Sequence, residues 1–137
     1  MLTYRGTVYP WQCDHMGHMN VMWYVGKFDE ATWQLFNALG LSPSVLRSAG
    51  RGMAAVDQRI TYAREVHAGA VLSVTTRVED VQARKLRFTH EMRNDDTGDV
   101  VATTTIVGVH LDTQARRACA FPGAVVEAAR AWVPVAG

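Results

Sequence analysis

Two hydrophobic periods divide this chain. Residues 2–9, Leu-Thr-Tyr-Arg-Gly-Thr-Val-Tyr, are rich in β-formers and predict a first strand, which Pro10 ends because proline brings no amide to a ladder. From Trp23 the spacing becomes helical. Tyr24, Val25, Phe28, Ala31, Thr32, Leu35 and Leu39 recur every three or four residues, with Lys27, Asp29, Glu30, Gln34 and Asn37 mostly between them. Gly40 stands where a left-handed C-cap would end this helix of roughly sixteen residues. Ser42-Pro43 reads as the N-cap and first residue of a short helix closed by Gly50.

Beyond Gly52 the period drops to two. A strand is predicted over Met53–Tyr62, then a turn at Glu65–Gly69. Leu72, Val74, Thr76 and Val78 alternate with Ser73, Thr75 and Arg77, and Leu86, Phe88, His90 and Met92 with Arg87, Thr89, Glu91 and Arg93. Asn94-Asp95-Asp96-Thr97-Gly98 is a turn signal before a strand from Val100 to Leu111, apolar or β-branched on both faces and therefore placed inside the sheet. Gly108 within it marks a bulge or a close backbone approach. A turn near Asp112-Thr113, a short edge strand and a helix from about Gly123 to Trp132 complete an α+β plan of one domain over residues 1–137. One long helix cannot cover both faces of such a sheet, which predicts a homodimer or a dimer of dimers.

Composition narrows the function classes. At 48% apolar and 20% charged residues with net charge +1, the chain has neither a like-charge block nor a basic arm for nucleic acid. No apolar run approaches the ~18 residues of a membrane span. The start, Met-Leu-Thr-Tyr-Arg-Gly, lacks the pattern of a secretory signal. The two cysteines, Cys13 and Cys119, are too few for a disulfide framework or a structural zinc site, and reduced thiols suit a cytoplasmic protein.

Between the first strand and the long helix lies the chemistry. Cys13-Asp14-His15-Met16-Gly17-His18-Met19-Asn20-Val21-Met22-Trp23-Tyr24 sets an acid, two histidines and an asparagine among apolar side chains. Zinc needs three protein ligands, and beyond Asp14, His15 and His18 the remaining histidines, His67, His90 and His110, stand isolated in sequence, so no metal and no cofactor is expected. His90 and His110 read as hydrogen-bonded sheet histidines. Cys13, at a strand end, has no evident base to make it a thiolate. Asp14 fits a carboxylate acting near a helix N-terminus, whose free amides polarise a carbonyl and stabilise an oxyanion. From spacing alone, Asp14 is equally a turn or capping residue.

The order of elements, with Asp14, Gly17-His18, Asn20 and then Tyr24, resembles the hotdog-fold acyl-CoA thioesterases, in particular the 4-hydroxybenzoyl-CoA thioesterase-like group. The resemblance covers almost the whole chain. It implies an antiparallel sheet of five to six strands wrapped around one central helix, an acyl-CoA substrate, and Asp14 as base or nucleophile. It also implies that the backbone amide of Val21 faces the thioester carbonyl. Gly17, His18 and Asn20 would shape the loop with hydrogen bonds that hold Asp14, and Tyr24 would pack under it. Arg84 and Lys85, opening a strand, match positions that often contact CoA, though a solvated surface role fits them equally. Two departures stand out: Ala70 where the family often has an acid, and Asp29 and Glu30 on the polar side of the helix, where related enzymes carry a catalytic glutamate.

Two other readings remain open. One is a hotdog hydratase or dehydratase on β-hydroxyacyl thioesters, with His18 and Asp14 or Glu30. The other is a protein that binds acyl-CoA without turning it over. Trp11, Met16, Met19, Met22 and Trp23 suggest either an apolar pocket wall or plain core.

Overall fold

A computed structural model describes residues 1–135. Its strands are β1 (Leu2–Thr7), β2 (Arg51–Tyr62), β3 (Val71–Val81), β4 (Lys85–Asn94), β5 (Val100–Asp112) and β6 (Arg117–Ala118). Its helices are α1 (Val21–Ala38), α2 (Pro43–Ala49) and α3 (Gly123–Arg130). The strands form one antiparallel sheet in the order β1-β3-β4-β5-β2, with β6 on β5. The long helix lies on one face, the α+β plan expected from the residue pattern.

The alternation along the strands decides that face. Val74 pairs with Met92, Thr76 with His90 and Val78 with Phe88; Phe88, His90 and Met92 in turn pair with Ile106, Thr104 and Ala102. All of these are buried. Against them α1 sets Phe28, Ala31 and Leu35, each with no exposed surface. Complete burial of side chains such as Phe28 and Leu35 contributes about 1.5–3 kcal/mol each. Gly108 leaves room for side chains from three elements, since a Cβ there would stand 3.3 Å from Met53 and 3.6 Å from Phe36 and Phe88. The facing strand β2 shifts register between Ala55 and Asp57, opposite Gly108 and Val107.

Capping accounts for the helix ends. After α1, Gly40 takes φ +86° while its amide bonds Asn37 O and the Leu41 amide bonds Phe36 O, the paired C-terminal bonds that left-handed glycine permits. In α2, Ser42 accepts from the Val45 amide, Pro43 is the first residue, and Gly50 closes with φ +66°, as expected. The start of α1 differs from the periodicity. The helix begins at Val21, two residues before Trp23, because Asn20 is its N-cap, and Val21 and Met22 are exposed, so no apolar spacing marks them.

Two side chains of α1 also depart from the expected faces. Val25 is on the outside, and Lys27 is buried, its Nζ donating to Tyr4 Oη at 2.9 Å and to Thr7 O at 3.5 Å while sitting over the Tyr4 ring. β1 flanks the helix there, and its hydroxyl and carbonyl let an ammonium be enclosed.

The core consists of two apolar clusters. One, around Val8, Met19, Tyr24, Phe28, Leu72 and Met92, lies at the start of α1; the other, around Leu35, Phe36, Leu46, Phe88, Ile106 and Phe121, lies at its end. Between them runs a polar column. Thr32 Oγ1 donates to Phe28 O and meets His90 Nε2 at 2.8 Å, His90 Nδ1 meets Thr76 Oγ1 at 2.6 Å, and Thr76 meets Thr3 Oγ1 at 2.7 Å. Because Thr32 already donates its hydroxyl proton, His90 donates from Nε2 and accepts at Nδ1. His110 is likewise a sheet histidine, bonded to Cys119 O.

Burial lowers the His90 pKa from 6.5 to about 3. The unfolded chain therefore takes a proton below about pH 6.5 that the fold refuses. Stability is full above that value and is lost as pH falls, by up to about 1.4 kcal/mol per unit, until His90 itself protonates. Denaturant melts at pH 7, 5 and 4 should show this decline in the native protein and a shallower one in His90→Gln; equal slopes would place the acid sensitivity elsewhere.

Candidate active site

The loop between β1 and α1 is built by its own backbone. Cys13 and Met19 form an isolated antiparallel bridge, the Asp14 amide donates to His18 O at 2.8 Å, and the Gly17 amide donates to Asp14 O at 3.0 Å. Gly17 turns the chain at φ +79°, a conformation that side chains disfavour. Two anchors then fix the loop to the fold: the Met19 amide donates to Val66 O at 2.7 Å, and the Asn20 amide to Gln12 O at 2.8 Å.

Asp14 is half-buried at the rim of this loop. Its Oδ1 accepts from the Met16 amide at 2.9 Å and the His18 amide at 3.3 Å, and no described residue bonds Oδ2. Desolvation pushes the carboxyl upward, but the two amides, with the His15 and His18 rings, together outweigh it and hold the pKa below 3.8. The group is thus an oriented, ionised carboxylate with one free oxygen. That suits a base or a nucleophile.

The head of α1 is the second component. Asn20 Oδ1 accepts from the Met22 amide at 3.0 Å, and Asn20 O accepts from the Trp23 amide at 3.0 Å. The Val21 amide, first in the helix, has no acceptor among the described residues, so it is the free donor at the positive end of the helix. Tyr24 is buried under the loop beside Met19, crosses Tyr62 edge-on at 5.1 Å and donates weakly to Arg64 O at 3.4 Å. Burial, then Tyr62 and Glu65, raise its pKa and keep the phenol neutral.

Two expectations change in detail. Gly17 and His18 do hold Asp14, but Asn20 instead caps the helix and leaves Asp14 to the Met16 amide. His67, isolated in sequence, packs against His18 with ring centroids 4.9 Å apart, because residues 18 and 67 form an isolated bridge. His18 Nε2 also lies 3.1 Å from Glu65 Oε2. Sequence spacing gives no signal for this group, because Glu65 and His67 fall in a stretch read as a turn and meet His18 only through the fold.

Arg84 lies in the β3–β4 turn and Lys85 opens β4, at the end of the sheet remote from the loop. Asp29 and Glu30 are exposed on α1. Cys13 Sγ is directed to Tyr9 O, 3.7 Å away. Of the apolar residues near the loop, Met19 is core, Met16 and Met22 are exposed, and Trp11 and Trp23 meet edge-on at 5.0 Å, with Tyr9 stacked on Trp11 at 5.8 Å. These rings line a groove beside the first turns of α1 that also takes in Lys27 and Glu30.

A model of the thioesterase-like superfamily matches residues 8–132. The chain belongs to that superfamily. Its sheet and central helix are the hotdog fold. An L-carnitine dehydrogenase/betainyl-CoA thioesterase of Agrobacterium fabrum is 36% identical over 115 residues, 84% of this chain but 23% of that protein, so the chain spans about a quarter of this relative. A betainyl-CoA thioesterase of Pseudomonas aeruginosa is 24% identical over 126 residues, 92% of this chain and 79% of that protein. A Staphylococcus aureus protein solved in complex with CoA has the same fold, with TM-score 0.91 and 21% identity over 100% of this chain and 89% of that one.

Asn20→Ala removes the side-chain cap and should lower stability by about 1 kcal/mol, with most of it restored in Asn20→Asp. Denaturant midpoints decide this, and an unchanged alanine variant would mean that the bond to Met22 does not hold the helix start.

Proposed function

We propose that this thioesterase-like chain hydrolyses an acyl-CoA thioester to the free acid and CoA. The observation that carries the reading is an oriented, ionised Asp14, with one oxygen free, on the loop that runs directly into α1, whose first amide is unengaged. A thioester carbonyl set against the Val21 amide is polarised, and the oxyanion that forms is stabilised by that donor and the helix dipole. Asp14 either takes the proton of the attacking water or attacks the carbonyl carbon itself. The leaving thiolate is stable enough to depart without a dedicated acid, which fits a site with one carboxylate.

The dehydratase reading needs a histidine and a carboxylate on the same substrate carbons. The His18 ring is engaged by Glu65 and His67, while Asp14 bonds only the His18 backbone, so the side-chain geometry favours hydrolysis. For the acyl group, betainyl-CoA is the first substrate to test. Four relatives carry that activity in their names, and the exposed rings of Trp11 and Tyr9 beside the helix head offer aromatic faces of the kind that hold quaternary ammonium groups.

We further infer a homodimer, alone or paired into a dimer of dimers. β2 is a twelve-residue edge strand with Val56 and Tyr62 exposed, and an edge that long invites pairing with another chain. A second copy also bears on CoA. Within one protomer, β3 separates the loop from Arg84 and Lys85 by roughly 30 Å at about 3.3 Å per residue, so these cations serve a CoA at Asp14 only from a neighbouring subunit. Cys13 and Cys119 are free thiols, which agrees with a cytoplasmic location.

Asp14→Asn should nearly abolish release of free thiol from acyl-CoA while leaving the thermal midpoint and acyl-CoA affinity close to native; a variant that keeps most of its turnover sinks the assignment. A panel of betainyl, aromatic and medium-chain acyl-CoA thioesters compared by kcat/KM should rank betainyl-CoA first. In light scattering the protein should run at twice or four times its chain mass, and a monomer would overturn the shared site.

A further inference from the structure

The histidine pair beside the loop is more than packing. His18, Glu65 and His67 each place one donor atom within 4.8 Å of the other two. Two imidazoles and one carboxylate are a donor set that zinc accepts with three protein ligands and an open fourth position. Imidazole nitrogen also favours zinc, copper or nickel over magnesium and calcium, which prefer all-oxygen shells.

The backbone holds these donors in place. Glu65 and His67 are exposed on either side of the buried Val66, so both side chains face away from the core. The same Val66 accepts the Met19 amide at 2.7 Å, and residues 18 and 67 are bridge partners, so both sides of the cluster are tied together before any ion arrives. Ligands at about 2.0–2.2 Å in a tetrahedron stand about 3.4 Å apart, so the three side chains need to close by no more than about 1.4 Å. His18 Nε2 and Glu65 Oε2 already lie at such a separation, 3.1 Å. Glu65 and His67 are exposed, which leaves the fourth position to water and the site open to exchange.

We propose that His18, Glu65 and His67 form a binding site for a divalent transition-metal ion of the zinc class. The ion would act on the loop. Both backbone groups of His18 bond Asp14, the carbonyl accepting its amide and the amide donating to its carboxylate. Fixing the His18 ring to the 65–67 segment therefore clamps the residue that holds Asp14, without a ligand from Asp14 itself.

The test uses the whole chain, with Zn²⁺ for calorimetry and thermal melts and Co²⁺ for visible spectroscopy, and is independent of hydrolysis. Expected are one Zn²⁺ per chain at an affinity on the order of micromolar, and a higher melting temperature in its presence. His67→Ala, at an exposed position, should remain folded, lose the thermal shift and weaken binding by about tenfold or more. Glu65→Gln should weaken it as well. The Co²⁺ spectrum should lack a thiolate charge-transfer band, which separates this site from Cys119 beside His110. Millimolar, non-saturating binding would mean adventitious surface contact and overturn the proposal, as would binding unchanged in His67→Ala. Loss of hydrolysis in Asp14→Asn leaves these readouts untouched, so the two readings fail separately.

Discussion

One column of hydrogen bonds sets how the helix lies on the sheet. Apolar packing alone would let α1 slide, since Phe28, Ala31 and Leu35 meet a broad surface of Val, Leu, Phe and Met side chains. Thr32, His90, Thr76 and Thr3 allow one position, because a displaced helix would leave a buried imidazole nitrogen without a partner. An unpartnered buried polar group costs about 1–3 kcal/mol, enough to make one register dominate. The column joins α1 to β4, β3 and β1, and Phe28 and Phe88 flank the His90 ring from the two apolar clusters. With the middle of the helix fixed, its first turn must emerge where the 13–20 loop is anchored.

That loop needs few side chains. Asp14 is oriented by amides of Met16 and His18, the turn by the freedom of Gly17, and the helix start by Asn20. The amide left over at Val21 belongs to a residue whose side chain is irrelevant to its donor. A site of this kind is positioned by chain direction and by two backbone anchors, at Val66 and Gln12. Its electrostatics follow from the same source, since backbone donors hold the Asp14 carboxylate ionised despite its partial burial.

Much of this was legible in the residue order because the signals are local. The alternation through Leu72–Val78 and Leu86–Met92 identified the buried face, and Ser42, Pro43, Gly40 and Gly50 marked helix ends through their own backbone preferences. Asp14 stood out only through the family pattern, since an aspartate in a turn has the same local signature whether or not it reacts. What escaped depends on contacts distant in sequence. Lys27 sits at a polar position of the helical period, yet Tyr4 and Thr7 enclose it. His67 stands alone along the chain and meets His18 only because Met19 pairs with Val66.

The sparseness of the loop bears on specificity. If hydrolysis needs only one carboxylate and one amide, the surrounding side chains are free to select the acyl group without disturbing the chemistry. Trp11 can vary in this way: its ring packs against Tyr9 and Trp23 and is largely exposed, while the backbone of the neighbouring Gln12 anchors Asn20. The short turn that carries Trp11 therefore separates two tasks between adjacent residues, one holding the loop and the other presenting a face to the groove. A shared fold with relatives of low identity follows from the first task, which depends on backbone. Divergence in substrate is the natural consequence of the second, because a ring in solvent contact can be exchanged at little cost to the core.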